Sequence, residues 1–225
     1  QVSFLVPGEF AESLVKRSLT AKPIHAAAWP RLRDQLTAYQ DELVTRFLAL
    51  PWESANNDRY RLPVPRQDFM RCWGSTSAVD SKGLEYERSD CQLDQVQYIS
   101  DALYTGRVNV RHESYDGSKL GLARFTKRFG DGFRNEFFGG GNKRDFTAPQ
   151  CRESYVAAPG GLPLRVVLCM KAYRKLPGLF DVSVLVATQD QATAGVQGRL
   201  DARGLSFANA MRLSRHYLEG FAWTK

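Results

Sequence analysis

Between Trp29 and Leu50, apolar residues return every three or four positions: Leu32, Leu36, Tyr39, Leu43, Phe47 and Leu50 form one stripe. Arg31, Arg33, Asp34, Gln40, Asp41 and Arg46 fill the remaining positions, so the segment predicts an amphipathic helix that Pro51 stops. A weaker stripe, Phe10, Ala11, Leu14 and Val15, predicts a helix from about Pro7 to Leu19, after a short strand at Val2–Val6. Leu120, Leu122, Phe125, Phe129, Phe133 and Phe137 predict a third helix over Ser118–Phe138, with a break at Gly130 and Gly132. Ser206 is a good cap for a closing helix whose inner face is Phe207, Ala210, Met211, Ser214, Tyr217, Leu218 and Phe221.

Elsewhere the period drops to two. Arg59–Leu62, Val96–Ile99, Arg107–His112 and Asp181–Thr188 read as strands, and Glu53–Asp58 and Gly195–Gly204 as polar loops. Val108, Val110 and His112 alternate with Arg107, Asn109 and Arg111, which predicts one buried and one solvated face. A turn within Asp101–Gly106 pairs Val96–Ile99 with Arg107–His112. Phe69–Trp73 is expected to pair with Glu85–Arg88 across the turn Asp80-Ser81-Lys82-Gly83, and a second hairpin turns at Pro159-Gly160-Gly161. With the strand at Asp181–Thr188 this second hairpin makes an antiparallel meander. The grouping of helices and strands predicts an α+β fold, with an antiparallel sheet built from stapled hairpins and packed against amphipathic helices on one face. Residues 1–22 read as a strand and helix leading from an upstream domain, and residues 23–225 as a single α+β domain. Residues 139–145 are its best internal boundary.

The two turns place Cys72 opposite Cys91 and Cys151 opposite Cys169, close enough for cross-strand disulfides. Two such bridges use all four cysteines and favour an oxidising compartment, periplasmic or secreted. A four-thiolate zinc site and buried free thiols are the alternatives. The chain of 225 residues is ordinary in its apolar (43%) and charged (24%) content, so a soluble globular protein is expected, without a membrane span. It opens at Gln1, without Met or signal peptide, and so reads as a processed or truncated product. The net charge of +7 suits a polyanion, but cations and acids interleave along most of the chain, which a solvated basic surface explains as well.

No catalytic motif is complete. His25, His112 and His216 lie at no zinc-binding spacing and read as structural, His216 as a cation near a helix end. No nucleophile elbow surrounds any serine. Asp94, Asp101 and Glu113 are the acids the strand region would bring together for a hydrolase. Gly139-Gly140-Gly141 reads as a connector rather than a phosphate cradle. Arg124–Phe129 and Arg134–Arg144 interleave cations with aromatics, as a nucleic-acid stacking surface does, but the four-residue spacing of the phenylalanines fits a buried helix stripe better. Catalytic residues, metal ligands and cofactors are therefore expected to be none.

Val2-Ser3-Phe4-Leu5-Val6-Pro7, followed by Ala11 and Leu14, resembles the last strand and following helix of the protease domain in bacterial exported trypsin-like serine proteases of the high-temperature-requirement type. Gln1 stands where that family usually has Gly, and the match covers about the first 15 residues. No carboxylate-binding loop of the PDZ kind follows. Lys175–Asp181 and the paired-cysteine hairpins look similar to the C-terminal extensions of some such proteins. The resemblance implies a catalytic triad upstream and a non-catalytic accessory domain here, with the protease domain or another protein as partner. The alternatives are a stand-alone basic envelope module that binds a polyanion or a protein, and a carboxylate hydrolase.

Overall fold

The computed structural model describes residues 8–21, 28–56, 59–77, 85–93, 96–100, 103–135, 142–189 and 193–224. In chain order the elements are α1 (Gly8–Thr20), α2 (Ala28–Ala49), β1 (Glu53–Asn56), β2 (Tyr60–Val64), β3 (Met70–Ser77), β4 (Glu85–Leu93), β5 (Gln97–Ser100), β6 (Leu103–Thr105), β7 (Val108–Asp116), α3 (Leu122–Asn135), β8 (Gln150–Ala157), β9 (Pro163–Ala172), β10 (Leu179–Gln189), β11 (Ala194–Ser206), α4 (Phe207–Glu219) and β12 (Ala222–Trp223). The fold is α+β. Seven strands form one antiparallel sheet in the order β3-β4-β7-β11-β10-β9-β8, and β1-β2-β12 and β5-β6 form two small ones. Strands from both sides of residues 139–145 share the large sheet, with β7 paired to β11.

Helices cover both faces of that sheet, not one. Val184 and Val186 of β10 pack with Val166 of β9, Leu200 of β11, Leu43 and Phe47 of α2, Leu213 and Tyr217 of α4, and Phe221 just after α4. Leu185 and Ala187 face the other way and pack with Val167 and Cys169 against Phe125, Phe129 and Phe133 of α3. The cause is legible in β10, which is apolar on both sides as a doubly covered strand must be. The helix break expected at Gly130 and Gly132 does not occur: α3 runs through both glycines, held down by three buried rings. Each such ring contributes roughly 1.5–3 kcal/mol, more than a glycine's helix penalty of about 1 kcal/mol.

The largest correction is β11. The expected polar loop is the central strand of the sheet, with Val196, Leu200 and Ala202 buried on one face and Gln197, Arg199, Asp201 and Arg203 on the other. Gly198 obscured the alternation. A Cβ there would lie 2.5 Å from the Tyr217 hydroxyl and 3.0 Å from Phe221, so the glycine admits both aromatics to the strand.

Other pairings shift too. Glu53–Asn56 is a strand on β2 rather than a loop. Met70–Trp73 pairs with Asp90–Leu93 instead of Glu85–Arg88, which pairs nearer the hairpin turn. β5 pairs with β6, while β7 inserts between β4 and β11. Gln40, expected on the polar side of α2, is buried and accepts hydrogen bonds from Asn209 Nδ2 (2.8 Å) and the Ser206 amide (3.2 Å), tying α2 to the start of α4. The inner face of α4 is rotated: Leu213 is buried, whereas Phe207 and Met211 are exposed. Ser206 caps α4 as expected, its hydroxyl accepting from the Asn209 amide. The stripe of α1 is not core, since Leu14, Val15 and Leu19 are all exposed. The strand expected at Val2–Val6, the turn at Asp80–Gly83, the glycines 139–141 and His25 lie outside the described residues.

Candidate functional site at the sheet edge

Both edge strands are fixed covalently. Cys72 of β3 is bonded to Cys91 of β4, and Cys151 of β8 to Cys169 of β9, leaving no free cysteine. The zinc and free-thiol alternatives fall with that. In each bridge the inner cysteine is buried and its edge partner exposed. The bridges lie on opposite faces: Cys91 aligns with Val110, Leu200 and Val184, and Cys169 with Ser183 and Asp201. Two structural disulfides suit an oxidising compartment outside the cytoplasm. No helix among the described residues is long and apolar enough to cross a membrane.

At the β8 edge all eight residues are exposed, and the pairing with β9 runs without a bulge. The Ala158 amide donates to the Leu162 carbonyl at 2.8 Å, and this bond sets the alternation along the hairpin. Arg152, Ser154 and Val156 direct their backbone groups inward to β9; Cys151, Glu153, Tyr155 and Ala157 direct theirs to the open edge. Two observations agree. Pro163, which has no amide proton, stands opposite Ala157, and the Cys151–Cys169 Cα separation is 4.0 Å, as in the closer, non-hydrogen-bonded pair.

A groove opens on each side of this edge, because α4 and α3 stop short of it. The α4-side groove, about 320 Å³, is lined by Val156, Leu164, Leu168, Met211 and Leu218. Arg215 and Glu219 on its rim pair with each other at 2.7 Å. The α3-side groove, about 350 Å³, is lined by Tyr155, Pro163, Phe129, Phe133 and Ala187. Arg165 crosses its floor, bonded to Glu153 at 2.6 Å with its guanidinium over the Phe133 ring. Tyr155 is 76% exposed, a large aromatic standing at the edge without cover.

The charged face of the sheet is, by contrast, occupied with itself. Asp90 bonds Arg88 and, at 3.2 Å, Arg111; Glu113 accepts from the Tyr115 hydroxyl at 2.5 Å; Asp201 accepts from Arg199 at 2.6 Å. Asp181 accepts from Tyr173 (2.5 Å) and the Gly204 amide (3.2 Å) and lies 3.5 Å from Lys171. Burial pushes Asp181 and Tyr173 up and Lys171 down, each towards its neutral form. The Lys171 ammonium sits 4.4 Å above the Phe146 ring, buried with its carboxylate, which is a structural arrangement.

Of the acids and histidines singled out in the sequence, Glu113, His112 and His216 are among the described residues. Glu113 is engaged by Tyr115, and Asp94 and Asp101 lie outside the described residues. His112 is in mid-strand, not at a strand end, 3.3 Å from the Tyr217 hydroxyl, and burial takes its imidazole down to about 3. His216 packs edge-on against Trp52, and burial lowers it as well, against the expected helix-end cation. Phe125, Phe129 and Phe133 are buried, so these rings present no stacking surface to nucleic acid; Phe137 is outside the described residues. Among the described residues no three His, Cys, Asp or Glu side chains cluster so as to hold a metal. The edge features Arg152, Tyr155 and Val156 do not stand out as a site in the sequence, and Met211, expected on the inner face of the closing helix, lines the α4-side groove instead. Their significance depends on which strand ends the sheet, and the only local signal is an aromatic-apolar pair, Tyr155-Val156, in an otherwise polar strand. No family model matches the chain, and no curated protein or solved structure matches it either.

Proposed function

We propose that this chain is a non-catalytic accessory domain of an exported protein, and that it holds an extended polypeptide as an additional strand on β8. The observation that carries the reading is an open edge flanked by an apolar groove on each face. Strand addition uses those two features together: main-chain bonds supply affinity, and alternate side chains enter pockets on either side. The likeness of residues 1–15 to the end of an exported trypsin-like protease domain supports a protease as parent, with this domain presenting or retaining its polypeptide substrate. The test is binding of reduced, carboxymethylated lactalbumin, a permanently unfolded chain, to the 225-residue protein. Saturable binding without cleavage is expected. No binding, or hydrolysis of the probe by the isolated chain, would reject the proposal.

A second reading, polyanion binding, has one observation in its favour. Lys143, Arg144, Arg174 and Lys175 gather around the turn at residues 142–146, where Asp145 pairs with Lys175 at 3.2 Å. Retention on heparin that falls steeply with salt, and is lost when Lys143 and Arg144 become Glu, would establish it.

A further inference from the structure

The asymmetry of charge and shape around β8 also specifies what kind of segment fits, given that the edge takes a strand at all. Side chains of an added strand alternate between the two grooves. On the α4 side they meet, in turn, Arg152, Ser154 and Val156. Arg152 is exposed and has no carboxylate partner among the described residues, while Arg215 and Glu219 satisfy one another. The floor beyond it, Leu168, Met211 and Leu218, is apolar. On the α3 side the added strand meets Glu153 and Tyr155. Glu153 is already paired with Arg165, so that position is neutral, and Tyr155 stands over an apolar groove.

We propose that the β8 edge selects an extended segment carrying an acidic residue three and four positions away from two adjacent apolar residues. The acid faces Arg152, one apolar residue lies along Tyr155, and the next enters the groove at Val156. A carboxylate beside the unpartnered guanidinium forms a charge-assisted hydrogen bond, and the protein's net charge of +7 favours the approach of such a segment. The four outward-facing backbone units, at Cys151, Glu153, Tyr155 and Ala157, span about seven residues of added strand at the usual rise.

Two fluorescein-labelled heptapeptides test this, Thr-Glu-Ser-Thr-Val-Val-Thr and its reverse, alongside versions with Lys for Glu and versions N-methylated on alternate residues. Carboxymethylated lactalbumin is measured on the same full chain. The Glu peptide, in one of its two orders, is expected to bind about tenfold more tightly than its Lys counterpart, a preference that Arg152→Glu reverses. N-methylation at one set of alternate residues abolishes binding, and at the other set leaves it intact, because only one set faces β8. Tyr155→Pro removes an outward amide and a groove wall while sparing the bonds to β9, so it folds and loses both probes. Exposed Arg152→Glu carries the test independently of that fold. If lactalbumin binds and Tyr155→Pro abolishes it, but Glu and Lys peptides bind alike, the specificity is overturned and strand addition stands. Equal binding of both N-methylated sets overturns the strand geometry. No binding of either probe overturns both.

Discussion

The two edges of the seven-stranded sheet have the same covalent device and different surroundings. Each edge strand is joined to its neighbour by one disulfide, across loops of 19 and 18 residues, with the inner cysteine buried. At the β3 edge the neighbouring strand is held by charge on one face, where Asp90 of β4 grips Arg88 and Arg111, and by buried Cys91 and Leu93 on the other, with His112 of β7 buried one row away. At the β8 edge the neighbour is held by apolar contacts, with Val166 and Leu168 on one face and Val167 and Cys169 on the other. One row across the sheet shows the change. It reads Ser89, His112, Gly198, Val186, Val166 and Ser154 from β4 to β8. The bridge therefore secures the strand at either edge, and at β8 helices on both faces leave grooves beside it. An open edge invites pairing with other chains unless something blocks it. Here β8 carries no proline and no bulge, and the apolar lining beside it makes it a place to be occupied.

The sharpest way to break the comparison is to cut the staples one at a time. Loops of nearly equal length predict nearly equal losses, about 3 kcal/mol each for Cys72→Ala/Cys91→Ala and Cys151→Ala/Cys169→Ala, read from urea unfolding. Function should separate them. Loss of the Cys151–Cys169 bridge frees β8 to fray and removes lactalbumin binding, whereas loss of Cys72–Cys91 leaves it. Equal binding by the two variants would make the β8 staple irrelevant to the site.

Acid should loosen the packing of β7 against Tyr217 and Phe221. Burial holds His112 neutral down to about 3, against 6.5 in the unfolded chain, with Asp90 opposing the shift. Between those values the unfolded state binds a proton that the folded state refuses. This contribution is intact above pH 6.5 and is lost as pH falls towards 3. Lowering the pH from 7 to 4.5 should cost roughly 2–3 kcal/mol through this group. His112→Leu should flatten that slope in urea titrations. A variant with the wild-type slope would assign the acid sensitivity elsewhere.

How much of this was legible beforehand follows from where information is local. The meander and both staples were readable because a hairpin's register is fixed by its turn: Gly160 and Gly161 both have positive φ, and every pair in the hairpin follows from them. The stripe of α2 was readable for the same reason, its period lying within the helix. β11 was not, since its partners β7 and β10 approach from opposite sides of the chain and Gly198 answers to Tyr217 and Phe221, which follow it by a helix. Gln40 likewise becomes a buried link only when Asn209 arrives. The site depends on strand order, the least local property of all: nothing within Gln150–Ala157 says that it ends a sheet.

Asp90→Asn tests the charged edge at smaller scale. It keeps the shape and weakens the bonds from Arg88 and Arg111, both partly exposed to solvent, so a loss of about 1–2 kcal/mol is expected. Hydrogen exchange should quicken in Met70–Ser77 and Glu85–Leu93 and stay unchanged in Pro163–Ala172. Quickening in both regions would mean that the two halves of the sheet open as one unit.

The smallest change in stability should carry the clearest difference in function. Trp73 and Tyr155 are the large exposed aromatics of the two edge strands, on the same face of the sheet and 51% and 76% exposed. Both stand at a sheet edge with half or more of their surface in water, so truncating either to Ala should cost no more than about 1 kcal/mol. Tyr155 walls a groove beside outward-facing backbone groups, and Trp73 lines neither of the two grooves at β8. Tyr155→Ala should therefore weaken lactalbumin binding about tenfold, as loss of an aromatic anchor does, and Trp73→Ala should leave it unchanged. If Trp73→Ala weakened binding as much, an exposed aromatic on any stapled edge would suffice, and the helices flanking β8 would have no part in recognition.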